Sequence, residues 1–162
     1  MLKNLLIAIV FIAAMAGCGK DTGFKCEYDP CQYPAPASQI ADIQNYLSAN
    51  GLTATQHCSG LFYTIVSEGS GNPPTVCDGV RVSYEGKLVD GTVFDSSPSI
   101  DFGLNQVITG WGNGIPLIKP GGRILLYIPP YLGYGYTDLT SGSTVIPADS
   151  DLVFEIQLVS VD

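Results

Sequence analysis

Val82-Ser83-Tyr84-Glu85-Gly86-Lys87-Leu88-Val89-Asp90-Gly91-Thr92-Val93-Phe94-Asp95-Ser96-Ser97, completed downstream by Val107-Ile108-Thr109-Gly110-Trp111, is the stretch that decides the fold. Val80, Val82 and Tyr84 alternate with Arg81, Ser83 and Glu85, the period-two pattern of a half-buried strand. Asp90-Gly91 follows, the strongest short-range hairpin signal, and 92–96 continues as the return strand. Such a hairpin brings Tyr84 and Phe94 toward Ile108 and Trp111, with Asp95 the one carboxylate among them. An apolar basin with one or two polar handles has the character of a small-ligand pocket. No Ser-His-Asp set, Cys-His pair or phosphate loop accompanies it, so covalent chemistry is not the reading.

Working outward, 61–68 is β-rich and ends at the breaker cluster Gly69-Ser70-Gly71-Asn72-Pro73-Pro74. Residues 100–104 extend the sheet after Pro98, which interrupts the ladder and predicts a bulge on an edge strand. The crossing segment 110–120 contains Gly112, Gly114 and Pro116, so a single turn or an irregular loop is expected. Gly121-Gly122 reads as a turn, 123–128 as an apolar central strand and 129–146 as a long tyrosine-bearing loop. Leu152, Phe154, Ile156 and Leu158 alternate as a final strand. Upstream, Ser38 offers an N-cap, Ile40, Ile43 and Leu47 follow at helical spacing, and Gly51 closes the helix. Its apolar stripe needs the main domain or a second copy to cover it. The fold class is therefore α+β, an antiparallel sheet with little helix.

Lys3 and the apolar run 5–16 form a targeting segment, shorter than the ~20 residues of a spanning helix. The run ends in Met15-Ala16-Gly17-Cys18, which resembles a bacterial lipobox. That resemblance implies a signal peptide over 1–17 and a lipidated Cys18 anchoring the chain to a membrane; an ordinary secreted protein cleaved nearby is the alternative. Residues 18–37 are rich in Pro, Gly and polar residues and read as a tether, with 38–58 the helix and its connector. Cys26, Cys31, Cys58 and Cys77 suit two disulfides in an oxidising compartment. A local Cys26–Cys31 loop and a Cys58–Cys77 bridge between strand entrances are the expected pairings. The rival, a metal site joining His57 to the thiols, lacks a zinc spacing, so no metal is assigned. Acidic residues outnumber basic ones 15 to 7, which argues against nucleic-acid partners.

Over 59–162 the chain resembles an FKBP-type peptidyl-prolyl isomerase domain. The motifs that carry the resemblance occur in order: the 82–97 hairpin, Val107-Ile108-Thr109-Gly110-Trp111, Gly133-Tyr134-Gly135, Ile146-Pro147 and Leu152-Val153-Phe154-Glu155. It implies a strongly twisted sheet wrapped over a short helical turn. The resemblance also implies that Trp111 floors a pocket for a substrate proline ring, with Tyr84, Phe94, Val107, Ile108 and Phe154 as walls and Ile146 closing the loop side. The Ile108 N–H and the Tyr134 hydroxyl would bind substrate carbonyls, and Asp95, tied to Tyr84, would face the twisting amide without any cofactor. Ile100 stands where the family offers an aromatic wall, the segment 104–107 is short, and 137–144 lacks the family's histidine.

The two resemblances together imply acceleration of X-Pro rotation in exported proteins of the bacterial envelope, on an outer-membrane or periplasm-facing anchor. Other readings remain open. Asp95 could only cap the turn before Ser96-Ser97; the pocket could hold proline peptides or unfolded envelope proteins without turnover; the helix could mediate dimerisation. Phe62, Phe102 and Tyr127 read as core.

Overall fold

The computed structural model describes residues 26–142 and 144–162. The leader 1–17, Cys18 and the first part of the expected tether lie outside these residues. Six strands form one antiparallel sheet: β1 (Thr55–Gln56), β2 (Phe62–Ser67), β3 (Gly79–Leu88), β4 (Val93–Gly103), β5 (Arg123–Ile128) and β8 (Leu152–Val161). Their spatial order is β1-β2-β5-β8-β3-β4. A small hairpin of β6 (Leu139–Ser141) and β7 (Thr144–Ile146) stands apart, inside the segment that the sequence presented as unbroken loop.

The decisive hairpin is built as its sequence dictates. The Leu88 N–H donates to Thr92 O at 2.9 Å and the Gly91 N–H to Leu88 O at 2.9 Å, while the Thr92 N–H donates to Asp90 Oδ1 at 2.8 Å. Gly91 sits at φ 91°, a conformation that costs a side-chain-bearing residue strain. Beyond the turn, the two expected segments 92–96 and 100–104 are one strand. The register slips between the pairs Val82↔Ile100 and Tyr84↔Ser97, which absorbs Pro98 as a bulge without ending β4. β4 is the sheet's edge, where a residue without an N–H is tolerated.

The inner face carries the main core. Leu152, Phe154, Ile156 and Leu158 are all buried while their neighbours on β8 are not, as period-two alternation requires. They meet Ile124, Leu126 and Ile128 of β5 and Val80 and Val82 of β3. Under this face runs α2 (Thr109–Gly114), a true helix followed by a 3-10 turn over Ile115–Leu117. The sequence argued for a single turn or an irregular loop because glycine disfavours helix; packing reverses that preference. A Cβ on Gly110 would lie 2.6 Å from Ile128 Cγ2, and one on Gly114 would lie 2.6 Å from Leu126 Cδ1. The glycines are what let α2 approach β5 this closely.

The outer face is covered by α1 (Ala37–Ala49). Ile43 and Leu47 are buried against Phe62 and Tyr127, so the helix packs on its own domain. Burying two such side chains contributes roughly 3–6 kcal/mol. It starts one residue before the expected Ser38 cap: Pro36 takes the N-cap position with no side-chain cap. This coverage explains why β5 is apolar on both faces, Leu126 facing inward and Tyr127 outward.

Two expectations fail here. The disulfides are Cys26–Cys77 and Cys31–Cys58, not Cys26–Cys31 and Cys58–Cys77. The described part of the expected tether, 26–36, is accordingly a strap. Its Ala35 is buried, and the Ala35 N–H donates to Ser59 O at 2.8 Å. A chain bound across the domain carries its cysteines to distant partners, which the appeal to a short local loop overlooked.

Candidate active site

One cavity of about 270 Å³ opens on the inner face beside α2, lined by Tyr84, Asp95, Phe102, Gln106, Val107, Ile108, Trp111, Tyr134 and Phe154. Four different parts of the fold supply these side chains: the β3–β4 hairpin, the entry to α2, the bend at 130–136 and β8. Trp111 is 4 % exposed. Tyr84, Phe154 and Phe102 stand around it with ring centroids at 5.0, 5.2 and 5.6 Å and interplanar angles of 80°, 86° and 85°. With three rings set nearly perpendicular to it, the indole is a floor and they are walls; edge-to-face pairs of this kind add ~0.5–1.5 kcal/mol each beyond burial. The indole Nε1–H has no partner among the described residues, so packing rather than hydrogen bonding holds the ring.

The polar groups are few and fixed. The Tyr84 hydroxyl donates to Asp95 Oδ2 at 2.6 Å, and the Ser96 N–H donates to Asp95 Oδ1 at 2.9 Å. Asp95 lies within β4, in ladder register with Gly86, and lines the cavity, so it does not serve as the cap of a turn. Burial, reinforced by the bond to Asp95, pushes the Tyr84 hydroxyl far above the usual phenol range. Burial and then the Asp95 carboxylate push Tyr134 up in the same direction. Both phenols keep their protons at neutral pH and are hydrogen-bond donors. Ile108 is the N-cap residue of α2: its carbonyl accepts from the Trp111 N–H at 2.9 Å and the Gly112 N–H at 3.2 Å. Among the described residues its own N–H has no backbone partner, and Ile108 is one of the residues lining the cavity.

Comparison with known proteins then gives the arrangement a family. The family model for FKBP-type peptidyl-prolyl cis-trans isomerases matches residues 71–159. This chain belongs to that family. A probable FKBP-type peptidyl-prolyl cis-trans isomerase FkpA of Neisseria meningitidis serogroup B is 45 % identical over 125 residues, covering 75 % of this chain and 44 % of the relative. The chain thus spans under half the length of that relative. The crystal structure of FkpA from Escherichia coli superposes with a TM-score of 0.68 at 36 % identity, covering 78 % of this chain and 60 % of that one. A peptidyl-prolyl cis-trans isomerase from Pseudomonas syringae pv. tomato superposes at 0.66 with 28 % identity, covering 79 % of this chain and 97 % of that one.

Of the FKBP-type residues expected from the sequence, Tyr84, Asp95, Val107, Ile108, Trp111, Tyr134 and Phe154 all line this one cavity. Phe94 stands behind the walls, edge-on to Phe154 at 5.5 Å and to Tyr134 at 6.3 Å. Ile146 is 1 % exposed and belongs to the core. Ile100 is not a wall: it is 37 % exposed and does not line the cavity. Phe102, read as core, supplies that wall instead, because residues 100 and 102 share a face of β4 and the later one lies deeper. Gln106, also unforeseen, ends the 3-10 turn Leu104–Gln106 at the cavity rim, and only its adjacency to Val107 could have flagged it. His57, named from the sequence only for the rejected metal site, is half-buried with Nδ1 at 2.9 Å from Ser59 Oγ, and burial lowers its pKa.

Proposed function

We propose that this chain is a peptidyl-prolyl cis-trans isomerase that works without a covalent step. The observation that carries the reading is one cavity lined by Trp111, Tyr134, Asp95 and Ile108, with Asp95 held by Tyr84. A substrate proline ring rests on the Trp111 face. The Ile108 N–H and the Tyr134 hydroxyl donate to carbonyl oxygens of the substrate on either side of the bond, and the Tyr84-held Asp95 faces the turning amide. Rotation about a peptide bond meets about 18–20 kcal/mol because resonance must be lost, and the X-Pro bond is slow for the same reason. A dry aromatic cup disfavours the planar, more charge-separated amide, and its fixed walls fit the twisted one. Each ~1.4 kcal/mol of preference for that twisted state gives a tenfold acceleration. Aromatic walls, two donors and one carboxylate are sufficient for a few such factors.

A second reading has its own observation. Tyr131, Tyr136, Leu139 and Val145 are 44 %, 64 %, 40 % and 54 % exposed on the segment that carries Tyr134. Such a rim holds extended, unfolded chains, so the same cavity could serve a peptide-binding chaperone. Exchange of a short Phe-Pro peptide, followed by NMR with wild type, Asp95→Ala and Trp111→Ala, separates the two. Isomerisation by wild type with a large loss in both variants is expected. Binding without any acceleration would establish the chaperone reading in its place.

We further propose export and lipid anchoring at Cys18, with proline-containing segments of unfolded envelope proteins as clients. The apolar run ending in Met15-Ala16-Gly17-Cys18 and two long-range disulfides in a small domain support this. Mass spectrometry of protein extracted from membranes is expected to find a diacylated N-terminus at Cys18, and an intact Met1 would rule it out.

A further inference from the structure

The parts of the site that offer hydrogen bonds to a substrate belong to two short segments. One is α2, whose six residues include three glycines and whose start holds the Ile108 N–H and Trp111. The other is the bend at 130–136 that carries Tyr134. A one-and-a-half-turn glycine-rich helix has little stability of its own. Each segment is instead held from behind by a residue of the N-terminal strap or helix, outside the family match at 71–159.

Behind α2, the Tyr28 hydroxyl donates to Asn113 Oδ1 at 2.6 Å across 85 residues of sequence. Asn113 is 3 % exposed, one of two buried polar side chains among the described residues, and its Nδ2 has no partner among them. Tyr28 therefore supplies the one side-chain hydrogen bond of a carboxamide two positions from Trp111. The strap does not lie flush on α2: a cavity of about 320 Å³ separates them, lined by Val76, Pro116 and Leu117 among others. The Tyr28 phenol reaches across to Asn113 of α2, and the strap is fixed on both sides of Tyr28 by Cys26–Cys77 and Cys31–Cys58.

Behind the bend, Gln39 on the first turn of α1 does the corresponding work. Its Oε1 accepts from the Tyr131 N–H at 3.0 Å, and its Nε2 donates to the Tyr136 hydroxyl at 3.5 Å. These two anchor points bracket Tyr134. The helix carrying Gln39 is itself seated by buried Ile43 and Leu47.

We propose that Tyr28 and Gln39 are positioning residues of the isomerase site, an inference that rests on the isomerase reading above. Tyr28 fixes α2, and with it the indole floor and the Ile108 donor; Gln39 fixes the bend and the Tyr134 donor. Neither touches substrate. Both act through the placement of groups whose value depends on sub-ångström geometry.

The test uses the full chain with both disulfides formed, and Trp111 is its only tryptophan. Tyr28→Phe keeps the ring and removes only the hydroxyl. Gln39→Leu removes both contacts, and Gln39→Glu keeps an acceptor for the Tyr131 N–H. At a temperature where circular dichroism shows every variant folded, Tyr28→Phe is expected to shift Trp111 emission and lower kcat/KM on a Phe-Pro peptide about 3–10-fold. Gln39→Leu should lower kcat/KM similarly without moving the emission, and Gln39→Glu should return to within about twofold of wild type. If the folded Tyr28→Phe and Gln39→Leu proteins keep wild-type kcat/KM within about twofold, the proposal is overturned. Should wild type itself show no turnover, the isomerase reading falls separately. The emission of Tyr28→Phe then decides the α2 brace alone, a shift supporting it and an unchanged spectrum overturning it.

Discussion

The two faces of the sheet carry cavities of opposite character, and the larger of the two is not the proposed site. On the outer face a groove of about 390 Å³ is lined by Ser83, Tyr84, Glu85, Ser97, Arg123, Glu155 and Gln157. On the inner face the aromatic cup measures about 270 Å³. Tyr84 borders both. The outer groove is a strip of polar side chains with partly exposed ion pairs, Arg123 with Glu155 and Lys87 with Glu85. It stays wet, and charges in water gain little from meeting. The inner cup has fewer polar groups, but each is set against aromatic surface, where its field is least screened. On the mechanism proposed above, what suits the inner cup to turning an amide is exclusion of water around a few fixed donors, not room.

The contrast predicts that damage to the two faces reads out differently. The largest effect is on stability and comes from the outer face. Tyr127 is buried beneath α1 with Phe62, Ile43 and Leu47, so Tyr127→Ala is expected to cost about 3–4 kcal/mol in urea unfolding. Its folded fraction should turn over a proline peptide no slower than Gln39→Leu, since the worst it can do to the cup is loosen the helix that bears Gln39. A turnover loss far beyond that would mean the faces are not separable.

Next comes the floor of the cup. Trp111→Leu keeps an apolar filling but removes the flat surface, and kcat/KM is expected to fall about 100-fold, or ~2.7 kcal/mol of transition-state stabilisation. Arg123→Ala, in the larger but wet groove, should leave kcat/KM within about twofold. Equal losses in the two variants would remove the distinction drawn here.

Tyr84→Phe tests the wall between the faces. It leaves the ring beside Trp111 but takes away the donor on Asp95 Oδ2, so the carboxylate keeps only the Ser96 N–H. A hydrogen bond to a charged group contributes about 1.5–3 kcal/mol. A kcat/KM loss of roughly tenfold, with KM little changed, is expected if Asp95 acts on the twisted amide rather than on binding.

How much of this could be read from the sequence varies by physical cause. The 88–92 turn and the alternation of β8 are local, with turn chemistry and period two written into consecutive residues, and both were legible. Seven of the ten site residues expected from motifs share the cup because ordered motifs fix strand positions. Ile100 and Phe102 could not be told apart by alternation, since both point to one face; depth along β4 separates them, and depth is a tertiary quantity. The short helical turn under the sheet was legible through the family resemblance but not through local propensity, because Gly110 and Gly114 serve close approach to Ile128 and Leu126. The disulfides Cys26–Cys77 and Cys31–Cys58 close separations of 51 and 27 residues, and no local pattern specifies them. Tyr28 and Gln39 were illegible for the same reason: each finds its partner more than 80 residues away.

The smallest effect lies where α1 meets the start of β8, and it is set by pH. Burial first, then the nearby Asp42 of α1, raises the Asp151 pKa to about 6 from an ordinary value of 3.8. A carboxyl whose folded pKa is raised binds more protons when folded than when unfolded between those two values, so stability falls as pH rises through that window. Below it the group is neutral in both states and costs nothing; above about 6 the full penalty of a half-buried carboxylate is present. Asp151→Asn should therefore stabilise the protein at pH 7.5 by about 1 kcal/mol, the partial exposure of the site keeping the gain small, and change little at about pH 4. Asp42→Asn should give a lesser gain over the same window, because it removes only the second cause. Urea unfolding of the three proteins at both pH values decides it. A stabilisation by Asp151→Asn that is equal at both would mean that packing of the amide, not loss of the charge, is responsible, and that α1 is seated on the outer face without an electrostatic cost.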